Sequence, residues 1–272
     1  MNSPSRTSPA FAGAIFLGAF LLFQVQLIVA KAILPWFGGA PAVWTTCMLF
    51  FQSLLLAGYA YAHVAAVSLR PRNQGILHLG LLAAALLALP ISPERHGAPV
   101  GSEPPVWAIL ALLARSVAAP YFLLAGSSPL LQAWSTVARP GSPYRLYALS
   151  NAGSMLALIS YPIAIEPWLT TREQERVWSG AFVVFVLLCA VSARLLWRAN
   201  SVAPAAPGGP TQAAPTVGRR LLWVALPACA STLLLAVTNQ MCQEVAVVPF
   251  LWVLPLSLYL LSFILPFESD RW

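Results

Sequence analysis

The feature that most constrains this chain is a set of long apolar runs, Phe11–Ile33, Ala42–Val67, Ile76–Ile91, Val177–Trp197 and Leu221–Val237, each nearly free of charge. A helix needs roughly 20 apolar residues to cross a hydrocarbon core of about 30 Å. Inside that core every backbone polar group must be bonded within the protein, which leaves helices and closed barrels. Runs of this length are helical spans. Composition agrees: 59% of the chain is hydrophobic and 8% charged, against about 25% charged in a soluble domain. The expected fold is all-α, a polytopic transmembrane helical bundle of about eight spans. Their approximate bounds are 11–33, 42–67, 76–91, 106–138, 146–165, 177–197, 221–238 and 245–265.

Three regions follow from these runs. Residues 1–198 form a six-span block, and residues 199–218, rich in Pro, Ala and Gly, read as a flexible linker. Residues 219–272 form a two-span block. The chain stops at Trp272 directly after the last apolar run, as expected of an N-terminal piece truncated before further helices or a soluble domain. Phe11–Ile33 is longer than the core of a signal peptide and lacks a clear cleavage site, so it reads as a retained first span. Lys and Arg concentrate in short cytoplasmic loops. With the N-terminus inside, ten fall inside, among them Arg70, Arg72, Arg145 and Arg198. Four fall outside: Lys31, Arg95, Arg172 and Arg176. An N-in, C-in topology is therefore expected.

The net charge of +7 is no nucleic-acid signal, because the arginines sit between spans and no basic run is interleaved with aromatics. Catalytic and metal-binding signatures are missing. His63, His78 and His96 are scattered, the four cysteines lack paired spacing, and Asp270 is the sole aspartate. No catalytic residue, metal site or cofactor is expected.

Polar residues at membrane depth are costly and become functional candidates by default. Gln24 and Lys31 lie seven apart and share a face of the first span, whereas Gln26 points elsewhere. Lys31 either lines a cavity or snorkels to the headgroups. Arg115 and Gln132 belong to a long element, 106–138, that must be tilted, partly interfacial or broken, with Pro120 and Gly126–Pro129 as break points. Asn239, Gln240 and Glu244 lie in a polar stretch, 238–244, read as a tight hairpin or a re-entrant tip. In YRLYALSNAGSMLALISYP, residues 144–162, Tyr144, Tyr147, Asn151, Ser154, Leu158 and Tyr161 recur at helical spacing and form one stripe. Gly153 and Ala157 make a small-residue pair suited to close helix packing. The stripe faces either a neighbouring helix or a cavity.

Four segments carry a family likeness: LPWFGGAPAVWTTCMLFFQSLLLAGYAYAH (34–63), GSSPLLQAW (126–134), SPYRLYALSNAGSMLALISYP (142–162) and VPFLWVLPLSLYLLSFIL (248–265). In order, they resemble the N-terminal membrane region of membrane-bound spermidine synthase-like proteins, fusions of a transporter-like module with a synthase-like domain. The resemblance implies a multi-pass protein of the bacterial inner membrane with a C-terminal, soluble Rossmann-type domain as partner. The glycine-rich loop and acidic residues of that aminopropyltransferase-type domain have no counterpart in this chain, so no catalysis is assigned to it. The expected role is to anchor such a protein in the lipid bilayer and to pass a polyamine or related small amine. A stand-alone permease for a small solute and a non-catalytic assembly platform are the alternatives.

Overall fold

The computed structural model describes residues 8–96, 105–138, 144–200, 216–244 and 250–268. These residues form eight α-helices: α1 Pro9–Phe37, α2 Pro41–Ser68, α3 Pro71–Ala85, α4 Pro105–Ala138, α5 Tyr144–Ser160, α6 Thr171–Asn200, α7 Val217–Glu244 and α8 Phe250–Glu268. No strand occurs among them. Proline opens α1 to α4, where its missing N–H is no loss and its fixed φ is already helical. Gly38 ends α1 at φ 72°, and its N–H bonds the Leu34 carbonyl. Six helices (α1, α2, α4, α5 extended through Ile165, α6 and α7) are long and apolar enough to cross a membrane, while α3 and the apolar stretch Val253–Leu265 of α8 are shorter.

Two sequence expectations change here. Residues 106–138 are one continuous helix despite Pro120 and Pro129. At 34 residues it is about 51 Å long, so it exceeds the hydrocarbon core without breaking at Gly126–Pro129. Residues 238–244 are not a hairpin but the last turns of α7. The expected linker lies almost wholly outside the described residues.

Side-chain contacts fix the direction of each helix. α1 and α5 are parallel: Gln24 meets Ala157, Leu27 meets Tyr161 and Lys31 meets Glu166. α2 and α4 are parallel too, through Phe51 with Tyr121 and Gly58 with Ala125. α6 runs against α1, pairing Gly18 with Phe185 and Leu21 with Trp178. α3 runs against α4, pairing His78 with Ser127 and Gln74 with Trp134. α1 sits at the centre, packed on α4, α5 and α6, and contributes much of the core.

The main pairings of this block map onto one another, although α4 also packs on α6 with no like packing of α1 on α3. Exchanging α1–α3 with α4–α6 turns the α1–α5 contact into α4–α2 and the α1–α6 contact into α4–α3. Because three helices precede α4, the second unit enters from the opposite end: the block is an inverted repeat. The sequence carries the same relation. Residues 56–80 and 156–180 align at a spacing of 100, with Tyr61/Tyr161, Leu69/Leu169, Arg72/Arg172, Gln74/Gln174 and Gly80/Gly180 identical. α1 and α4 align at a spacing of 102, which pairs Leu21 with Leu123.

Outside this block, α8 packs along α5, and α7 touches α8 while remaining exposed along most of its length. Large apolar side chains such as Leu56, Val67, Ile163, Leu187 and Leu226 face outward. Such a belt is unsuited to water and suited to lipid.

Candidate functional site

Polar side chains gather on two equivalent seams. The first joins α1 to α5 and α6. Buried Gln24 donates from Nε2 to the Ala157 carbonyl at 3.0 Å and to Ser160 Oγ at 3.3 Å. The Tyr161 hydroxyl donates to the Leu27 carbonyl at 3.4 Å. Pro162 cannot supply a helical N–H, and residues Tyr161–Ile165 widen into one π-helical turn closed by Glu166 N–H on the Tyr161 carbonyl. That turn brings Glu166 to Lys31, with Nζ 3.0 Å from Oε1. Trp178 completes the seam, its Nε1–H donating to the Leu21 carbonyl at 2.9 Å.

The second seam joins α2, α3 and α4. His78, fully buried, lies 3.1 Å from the Tyr61 hydroxyl through Nδ1 and 2.9 Å from Ser127 Oγ through Nε2. Ser127 Oγ donates to the Leu123 carbonyl at 2.6 Å. One turn away, Trp134 Nε1–H donates to Gln74 Oε1 at 2.9 Å, while Gln74 Nε2 donates to the Leu69 carbonyl at 2.8 Å.

The repeat relates two of these features. Gln174 Nε2 donates to the Leu169 carbonyl at 2.9 Å, as Gln74 does to Leu69. Trp178 bonds the Leu21 carbonyl directly; His78, its counterpart, reaches the equivalent Leu123 carbonyl through Ser127. The match fails elsewhere: Lys31 and Glu166 stand opposite Ala133 and Ala66, and Gln24 stands opposite Gly126. Ala32 stands where α4 has Trp134 and offers no donor, and Gln174 Oε1 is buried without a partner.

The sequence candidates divide accordingly. Gln24 and Lys31 share the α5-facing side of α1, as their spacing implied, and Gln26 turns back to its own Leu22 carbonyl. Lys31 pairs with Glu166. Within the α5 stripe, Ser154, Leu158 and Tyr161 are buried, Asn151 is half-buried and Tyr147 is exposed. Gly153 sits so close to α1 that an added Cβ would lie 2.6 Å from the Phe16 carbonyl oxygen. The buried half of the stripe therefore faces a helix. Gln132 is buried beside Ser128, with its Oε1 unbonded. Arg115 is exposed on α4 and has no ionic partner among the described residues. Gln240 is exposed on α7. The side chains of Asn239 and Glu244 lie outside the described residues, as does that of Tyr144.

The cluster around His78 was missed in the sequence, where the three histidines looked unrelated. The signal that finds it is the spacing of 100, which sets a histidine against Trp178. Beside it, Tyr61, Val64, Ser68, Leu69 and Leu77 line an open groove of about 400 Å³ between α2 and α3. No group of three or more His, Cys, Asp or Glu side chains positioned for a metal occurs among the described residues.

The Lys31–Glu166 pair is about one-third and one-half exposed. Such pairs contribute little. Glu166→Gln is expected to lower stability by under ~1 kcal/mol, read as a small shift in detergent melting.

Length and apolarity mark the chain as an α-helical, multi-pass membrane protein. Comparison with protein-family models, with curated proteins and with solved structures finds no match.

Proposed function

We propose that this chain is a transporter-like membrane module of the spermidine synthase-like kind, lying N-in in a bacterial inner membrane and moving a small amine. The observation that carries this reading is the inverted pair of three-helix units meeting at α1 and α4. Inverted repeats of this sort underlie many secondary transporters, whose two units rock about a site between them. The small-amine class comes from the four resembling segments. Arg70 and Arg72 begin α3 at the end of the bundle where α1 begins, which supports placing that end in the cytoplasm.

A second reading, a membrane anchor without transport, is favoured by how the candidates are used. Gln24, Tyr161 and Lys31 all close the α1–α5 seam rather than an open cavity. Uptake of labelled spermidine and putrescine into proteoliposomes separates the two. The transporter reading expects accumulation above empty vesicles, little changed by Glu166→Gln because that carboxylate is already paired. No uptake of either amine leaves the anchor.

A further inference from the structure

At His78 the two repeats solve the same packing problem with different chemistry. The scaffold needs a donor from the third helix of each unit to a carbonyl on the first helix of the other. Trp178 provides it in one bond to Leu21. A histidine in the equivalent position requires two further hydroxyls, Ser127 and Tyr61, to satisfy both ring nitrogens. Packing alone does not call for this.

The hydrogen positions follow from the network. Ser127 commits its hydrogen to the Leu123 carbonyl at 2.6 Å, so its oxygen accepts from His78 Nε2–H. Nδ1 is then the acceptor, and the Tyr61 hydroxyl donates to it. The neutral ring is fully bonded. Access is asymmetric: the Ser127 side is sealed, while Tyr61 is half-buried and lines the α2–α3 groove. From α2 Tyr61 faces the ring; α4 presents Ser127 and Trp134, and α6 meets α3 one turn away through Trp197 at Gly75. No carboxylate or cation forms an ion pair with His78 among the described residues.

We propose that His78 is a proton-binding site, loaded past Tyr61 from the α2–α3 groove, and that its occupancy sets which way the Tyr61 hydroxyl points. When Nδ1 takes up a proton it becomes a donor. Tyr61 then accepts that bond, and its own O–H turns toward the groove, where it can donate to water or to a polar ligand. No other proton moves, because the Nε2–Ser127–Leu123 chain is the same in both states. The groove thus gains a hydrogen-bond donor when the site is loaded. This holds whether or not any solute crosses the protein.

The test is ¹⁵N NMR of the full chain, labelled at histidine, in liposomes of neutral lipid from about pH 8 down to about pH 3, because burial disfavours the charged ring. His78→Gln assigns the resonance; should that variant not fold, Ser127→Ala and Tyr61→Phe identify it by perturbation. The expected result is an Nε2–H tautomer at the upper end and a doubly protonated ring at the lower, with the helical content unchanged. Bonds to charged groups are stronger than neutral ones. Tyr61→Phe, which removes the acceptor for the protonated ring, is therefore expected to weaken proton binding roughly fivefold. An Nδ1–H tautomer overturns the proposal, as does a titration unaffected by Tyr61→Phe. So does unfolding before the ring protonates.

Discussion

Gly58→Val and Gly153→Val are each expected to destabilise the protein by about 3 kcal/mol or more, the upper range for overpacking a close contact. At Gly58 an added Cβ would lie 2.6 Å from the Ala125 Cβ, 2.9 Å from the Phe122 carbonyl oxygen and 3.0 Å from the Gly126 nitrogen. At Gly153 it would lie 2.6 Å from the Phe16 carbonyl oxygen. In both cases the obstacle is mostly the backbone of the facing helix, which cannot rotate aside as a side chain can. α2 would have to move off α4, or α5 off α1. These are the two parallel seams that the inverted repeat equates, so the two variants should fail alike. Without hydrophobic drive between helices in lipid, such close backbone approach is what holds a seam together. Gly80 and Gly180, also related by the repeat, have no atom within 4 Å of an added Cβ. Gly80→Ala and Gly180→Ala should therefore be neutral or stabilise by up to ~1 kcal/mol, through helix propensity alone. Melting in detergent of all four variants checks both halves. Equal effects at Gly58 and Gly80 would contradict the packing described here.

The extent to which the chain could be read without its structure depends on which property each residue exposes. The all-helical class and the six helices long enough to cross a membrane were legible, because apolar length is a direct consequence of the bilayer; the expected count of eight spans goes beyond those six. The shared face of Gln24 and Lys31 was legible from a spacing of seven, as was the close-packing pair Gly153 and Ala157. What the polar stripe of α5 faces was not legible, since periodicity states which residues share a face but not what lies opposite. The supposed break at Gly126–Pro129 also misled. Proline inside a helix removes one bond, yet buried Ser127 and the tight α2–α4 seam support the helix there. The inverted repeat was present in the sequence throughout, at spacings of 100 and 102. It escapes a reading by hydropathy because both units consist of similar apolar letters. Only the polar positions, such as Gln74 with Gln174 and Tyr61 with Tyr161, stand out once the two units are set side by side.

The repeat also makes a quantitative comparison between two glutamines in matched surroundings. Gln74 and Gln174 each donate to the carbonyl five residues earlier, bracing the first turn of α3 and of α6. Only Gln74 also accepts, from Trp134. Replacing Gln74 by Leu therefore leaves a buried indole N–H unbonded, at a cost of about 1–3 kcal/mol beyond the lost brace. Replacing Gln174 by Leu removes an oxygen that has no partner to lose. Gln74→Leu is expected to destabilise by about 3 kcal/mol and Gln174→Leu by about 1 kcal/mol. The cause can be separated from general fragility by a double-mutant cycle. Trp134→Phe alone leaves Gln74 Oε1 in the state that Gln174 Oε1 occupies natively, while the same change in the Gln74→Leu background removes the orphaned donor. The two substitutions should couple by about 1 kcal/mol, within the range measured for hydrogen bonds between membrane helices. A cycle through Gln174 and Ala32→Ser should show no comparable coupling unless the serine hydroxyl reaches Oε1. In that case the second unit would gain the bond that the first already has, and Ala32→Ser would stabilise the wild-type background but not the Gln174→Leu one.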